Sequence, residues 1–285
     1  MFIILLLSIF FIIFSSSWFL IWLGLEMNTL SFLLMSKDVC FKKTEFEFKY
    51  FYIQFIGSSL FLASWVYMNQ SILFQALMVK LLLFPFLFWV FNLLKWMNIR
   101  SMWVLLFLQK IGPICILMNL KINLTNSGKI FLLFNLLISA MLGFMKSNLI
   151  DLLTLSSVSH VVLILYLSFY SLFFLIFMLL YFFIVGLMWL YNKTFFHQNF
   201  MINFSIIMGM PPSFLFMSKV YMFSYFVSNL IFSLSILMLI VTGLTFLYMK
   251  IFLNLFNKLN YKFMFYAHFS SRVLLFYLIL GFIFI

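Results

Sequence analysis

Acidic side chains are almost missing from this chain. Five Asp and Glu stand against seventeen Lys and Arg, and charged residues make up only 8% of 285 positions. Soluble domains carry about 25% charged residues. A fold of this length lacks the interior to hide 67% hydrophobic residues, so a soluble globular class is excluded and membrane insertion is expected. Cysteine is scarce too. Cys40 and Cys115 are lone and far apart, which excludes a disulfide framework and any metal or redox spacing. There is no flavin or NAD fingerprint and no haem-ligand pattern, so no cofactor-binding or metal-binding residue and no redox centre is expected. The net charge of +12 does not indicate nucleic acid as a partner, because the basic residues are dispersed beside and inside apolar runs rather than lining a groove.

What is present is long apolar runs. A membrane span needs about 20 apolar residues. Runs set against polar breaks give eleven segments, near 2–22, 24–36, 48–68, 71–92, 101–119, 129–146, 149–168, 171–191, 200–226, 229–249 and 272–285. The N-terminal run has no basic flank and no small-residue cleavage site, and is expected to be a first span rather than a signal peptide. Alternate loops test the count. One side, with its flanks, holds Lys37, Lys42, Lys43, Lys49, Lys95, Arg100, Lys146, Lys193, Lys250, Lys258, Lys262 and Arg272, against Lys121 and Lys129 on the other. That asymmetry predicts an N-terminus inside and a C-terminus outside.

Lys80, Lys110 and Lys219 belong to no loop. A lysine at the centre of a span costs about 2.5–3.5 kcal/mol, so three are not incidental. Glu26 lies in "WLGLEMN" and His160 in "LSSVSHVVLIL", with Ser156, Ser157 and Ser159 as possible hydrogen-bonding neighbours. All four prolines, Pro85, Pro113, Pro211 and Pro212, lie within eight residues of one of these lysines. Each is expected to free a backbone carbonyl and break a helix beside an ionisable group. A buried lysine suits a proton relay because desolvation disfavours its charged form while a nearby carboxylate favours it. Glu26 and Lys80 are the expected pair. The bland alternative is that these groups only hold helices together.

These stretches resemble a known family. "WLGLEMNTLSF" is similar to W-x-G-L-E-M-N, "KTEFEFKYFYIQ" to T-E-x-x-x-K-Y-F-x-x-Q, and "KLLLFPFLFWV" to K-x-G-x-x-P-F-H-F-W. "LQKIGPI" is similar to W-Q-K-x-x-P-I, "LSSVSHVVLIL" to S-S-I-x-H, and "GMPPSFLFMSK" to G-L-P-P-x-x-G-F-x-P-K. In this order, from Trp22 to Lys219, they resemble the chain 2 family of mitochondrial NADH:ubiquinone oxidoreductase. Leu87, Leu83, Leu215 and Ser218 depart from the family pattern, as does Asp151 before the S-S-I-x-H stretch.

The resemblance implies an all-α polytopic, antiporter-like fold of about eleven transmembrane helices as a single domain over 1–285. It implies inverted repeats near 1–119 and 129–250, a C-terminal helix at 272–285, and two broken helices at Pro85 and at Pro211-Pro212. Relative to bacterial members, the first three helices are expected to be absent. The family's relay carries over as Glu26 and Lys80 for the coupling pair, Lys110 for the connecting lysine, His160 for a bridge and Lys219 for the exit. The implied role is a proton-translocating membrane-arm subunit of the translocase in the mitochondrial inner membrane, N-terminus towards the matrix. NADH, FMN, iron–sulfur clusters and ubiquinone are expected on other subunits. Expected partners are those subunits, including neighbouring antiporter-like ones, and membrane lipids. A stand-alone Na⁺ or H⁺ antiporter and a purely structural spacer are the rival readings.

Overall fold

The computed structural model describes residues 2–36, 43–119, 126–146 and 148–168. The described residues form helices joined by turns, without a strand: α1 (Phe2–Phe14), α2 (Trp18–Ser36), α3 (Lys43–Val66), α4 (Gln70–Lys80), α5 (Phe88–Leu94), α6 (Ile99–Trp103), α7 (Gln109–Asn119), α8 (Asn126–Met145) and α9 (Leu149–Ser168). The chain divides into two compact units. The first comprises Met1–Asn135 and Ser157–Phe169, and the described part of the second lies within Leu136–Ser156. The segments expected beyond residue 168, with Lys219, Pro211 and Pro212, lie outside the described residues, as does Cys40.

The first boundary differs from the expected one. The apolar run ends as a helix at Phe14, not near residue 22, and α2 starts at Trp18. The reason is the serine triplet between them. Ser17 sits just before α2, and its hydroxyl accepts from the Leu20 N–H at 3.4 Å, the geometry of an N-cap. Gly24, where the second segment is expected to begin, is a packing position inside α2. A β-carbon there would lie 2.7 Å from Ile12 Cγ1 and 3.4 Å from the Ser8 carbonyl oxygen, so α1 and α2 approach closely only because the side chain is absent.

Among the described residues, α2 is the one helix both long and apolar enough to cross a membrane unaided. At about 1.5 Å per residue, the 13 residues of α1 fall short of a hydrocarbon core about 30 Å thick. The apolar surface is nonetheless extensive: Phe10 is 62% exposed, Phe14 71% and, on α3, Phe55 54%. Such a surface suits contact with hydrocarbon rather than water.

Expected segment four is interrupted. Helix α4 stops at Lys80, and α5 begins only at Phe88. The stop is a complete C-terminal cap. The Leu83 N–H donates to the Met78 carbonyl at 3.1 Å and the Leu82 N–H to that of Val79 at 3.3 Å, with Leu82 in the left-handed region at φ 61°. Glycine is the usual residue there. Leu82 is held by burial instead, at 3% exposure. Pro85 follows within this non-helical stretch, where it cannot continue a helix.

Pro113 does not break its helix, contrary to expectation. It lies inside α7, and the chain runs without interruption from α6 through a π-helical stretch (Val104–Leu108) into α7. The wider turn supplies the local adjustment that lets a helix accommodate a proline and the carbonyl it leaves unpaired.

Replacing Leu82 or Leu83 by glycine removes one buried side chain in either case. Leu82→Gly also releases the left-handed strain, about 1–2 kcal/mol. Thermal unfolding of the two variants is expected to show Leu82→Gly as the more stable by about that amount. Equal losses would show that the cap is not strained.

Candidate functional site

Four of the five expected relay residues fall in the first unit. Lys80 ends α4 and is 5% exposed, Lys110 is in the first turn of α7 at 1%, and His160 is buried on α9 at 1%. Glu26 is half-buried on α2. The fifth, Lys219, lies outside the described residues.

Lys80 is brought into the interior by the close approach of α3 and α4. Gly57 of α3 faces it, and a β-carbon there would lie 3.1 Å from Lys80 Cγ and 3.3 Å from Val79 Cγ1. The lysine borders a cavity of about 10 Å³ lined by Leu25, Asn28, Thr29, Tyr50, Gln54, Gln109 and Pro113. Leu25, Asn28 and Thr29 follow i, i+3, i+4 spacing on one face of α2, and Tyr50 and Gln54 follow i, i+4 spacing on α3. Three helices thus each present a polar side chain to Lys80. Its ammonium has no hydrogen-bond partner there, and neither do the buried Asn28 Oδ1 and Gln109 Nε2. The Tyr50 hydroxyl faces the Gln109 amide without completing a hydrogen bond.

The expected Glu26–Lys80 contact is not a direct ion pair. The Glu26 carboxylate acts electrostatically on both Lys80 and Tyr50. Among the described residues, direct ion pairs lie elsewhere, at Lys49–Glu45 (3.8 Å) and Lys146–Asp151 (3.8 Å). On α2 the side chains that line the Lys80 cavity are Leu25, Asn28 and Thr29, and Glu26 is not among them. Thr29 Oγ1 donates to the Glu26 carbonyl at 2.8 Å.

Gln109 and Lys110 are adjacent in sequence and serve different neighbours. A helix turns about 100° per residue, and the π-helical stretch sets the phase at which both become buried. Gln109 lines the Lys80 cavity, whereas Lys110 Nζ donates to Ser157 Oγ of α9 at 3.0 Å. Ser157 is fully buried, and His160 follows it by one helical turn. Of the serines expected near His160, Ser156 is turned to its own helix and donates to the Leu153 carbonyl at 2.8 Å.

Sequence reasoning gave no role to Asn28, Gln109 or Asn135. The third secures the interruption after α4: Asn135 Oδ1 of α8 accepts from the Phe84 N–H at 2.7 Å, and Asn135 Nδ2 donates to the Phe131 carbonyl at 3.0 Å. An amide in the middle of an otherwise apolar helix was the available signal. Among the described residues no group of three or more His, Cys, Asp or Glu stands together to hold a metal ion.

Asn135→Leu keeps the branching and heavy-atom count of the side chain but leaves the Phe84 N–H without its acceptor. An unsatisfied buried donor costs about 1–3 kcal/mol. Thermal unfolding is expected to show a loss of this size, and an unchanged transition would mean that Asn135 does not hold the interruption.

The chain is similar in sequence and in fold to several known proteins. No protein-family model matches the chain. NADH-ubiquinone oxidoreductase chain 2 of Artemia franciscana is 38% identical over 149 residues, 51% of this chain and 47% of its own. The chain 2 proteins of Symphalangus syndactylus and Myxine glutinosa are 31% identical over 170 residues and 30% over 169, each match covering 52% of this chain and 48% of the relative. The matched region thus spans about half the length of these curated relatives. A chain of respiratory complex I from Thermus thermophilus, solved with bound aureothin, is similar in fold, with a TM-score of 0.75 at 15% identity over 88% of this chain and 68% of that one.

Proposed function

We propose that this chain is a proton-translocating membrane-arm subunit of NADH:ubiquinone oxidoreductase in the mitochondrial inner membrane. Its relay runs through Glu26, Lys80, Lys110, His160 and Lys219. Support comes from the chain 2 relatives, the complex I fold and, above all, one contact: the buried Lys110 ammonium bonded to Ser157 at 3.0 Å. An ammonium this deep is costly unless it is partnered or used. A serine hydroxyl accepts and donates at once, so a change of charge at Lys110 passes through Ser157 into α9, one turn before His160.

In this reading the Glu26 carboxylate biases the charge of Lys80 across the interior rather than by direct pairing. A shift at Lys80 then changes the field at Lys110, next in sequence to the Gln109 that lines the Lys80 cavity. His160 receives the change, and Lys219 releases a proton on the outer side. NADH oxidation, with FMN and iron–sulfur clusters, and ubiquinone reduction belong to other subunits. This chain contributes ionisable side chains and the apolar interior around them. Its partners are the adjoining membrane-arm subunits, antiporter-like ones included, and lipid around the exposed apolar faces.

Lys80→Met and Lys110→Met remove the charge at nearly constant volume. In the assembled enzyme, each is expected to lower the number of protons translocated per NADH oxidised by the share this subunit carries. An unchanged ratio in both variants contradicts the reading and favours a structural spacer.

A further inference from the structure

The mechanism above uses Lys80 but leaves unexplained the polar groups around it. Three of them are unpartnered and deeply buried: Lys80 Nζ on a residue 5% exposed, Asn28 Oδ1 on one 4% exposed, and Gln109 Nε2 on one 8% exposed. The Tyr50 hydroxyl, on a residue 1% exposed, completes the set. All four residues line the same cavity. Buried polar groups in folded proteins are nearly always hydrogen-bonded, and leaving one unpaired costs about 1–3 kcal/mol. Four unpaired groups at one place therefore call for a shared partner.

The chemistry of the set specifies that partner. Lys80 and Gln109 offer N–H donors, Asn28 Oδ1 can only accept, and the tyrosine oxygen can accept or donate. A molecule that accepts two hydrogen bonds and donates two satisfies all of them. The cavity volume of about 10 Å³ is roughly that of one water-sized probe, near the lower limit for holding a water. Leu25, Thr29, Gln54 and Pro113 form the remaining walls.

We propose that Asn28, Tyr50 and Gln109 form with Lys80 a binding site for a single water molecule, through which Lys80 is hydrogen-bonded to α2, the helix that carries Glu26. The water accepts from Lys80 and Gln109 and donates to Asn28 and Tyr50. The site explains how Glu26 and Lys80 are coupled without an ion pair between them. It makes Asn28 and Gln109 positioning residues for the relay. This inference rests on the proton-translocating reading of Lys80, and the test separates the two.

The test uses the assembled enzyme with Asn28→Leu, Asn28→Ser and Lys80→Met. Leucine keeps the branched shape of asparagine but removes the acceptor, whereas serine keeps a neutral oxygen acceptor. Protons translocated per NADH oxidised are expected to fall in Asn28→Leu by the same share as in Lys80→Met and to be largely restored in Asn28→Ser. Loss in Lys80→Met with no loss in Asn28→Leu overturns the water site and leaves the relay standing. Equal losses in the leucine and serine variants make Asn28 a packing residue and also overturn the site. No loss in Lys80→Met removes the relay reading and the inference with it. Should the leucine variant fail to assemble, a density map of the unmodified enzyme at a resolution that shows ordered water decides. A peak within hydrogen-bonding distance of Lys80 Nζ and Asn28 Oδ1 is expected, and a direct Lys80–Asn28 or Lys80–Glu26 contact without such a peak contradicts the proposal.

Discussion

Placing a polar group in an apolar interior is costly until that group finds a partner, and the described part of this protein is arranged around that constraint. The small hydroxyls satisfy it locally. Ser8, Ser31, Ser64 and Ser139 each donate to the carbonyl three residues back in their own helix, at 2.6–2.9 Å. They are polar in composition and silent in packing. The longer groups cannot satisfy it locally, so they tie helices together. Lys110 reaches α9 through Ser157, and Asn135 reaches the backbone of the segment after α4. What distinguishes Lys80 is that no neighbouring side chain satisfies it directly, although three helices offer polar atoms around it.

Close helix approach sets the stage for those contacts. Missing side chains at Gly24 and Gly57 let α1 meet α2 and α3 meet α4 at distances that a β-carbon would forbid. The second of these approaches carries Lys80 inward as α4 ends. The π-helical stretch before α7 performs the complementary task, fixing the phase at which two adjacent residues serve two neighbours. Function in this account belongs to junctions where helices stop, widen or touch, and the regular helical faces supply the apolar surroundings that give those junctions their electrostatic force.

Much of this was legible in the residues. Composition implied helices, because a chain so apolar must satisfy its backbone internally. The interruption beside Lys80 was legible from Pro85. The same rule failed at Pro113, where a widened turn absorbs the proline, a compensation that hydropathy does not register. Gly24, at the expected start of the second segment, lies inside α2 and is a contact with α1 that hydropathy does not register. Leu82 takes a positive φ that no residue type in "KLLLFP" announces. Glu26 and Lys80 read as a pair in the sequence, but Glu26 does not line the Lys80 cavity and makes no direct ion pair with it. Asn28, Gln109 and Asn135 escaped notice because an amide carries no charge to draw attention in a sequence. Only burial reveals what it costs.

The central claim is that this chain works as part of a large redox-driven assembly and not as a free ion exchanger. The most direct measurement is to solubilise the membranes gently and locate the chain on a native gel stained for NADH dehydrogenase activity. Comigration with a very large active band is the predicted result. Migration as a small inactive species would contradict the account and move the buried lysines into a stand-alone antiporter.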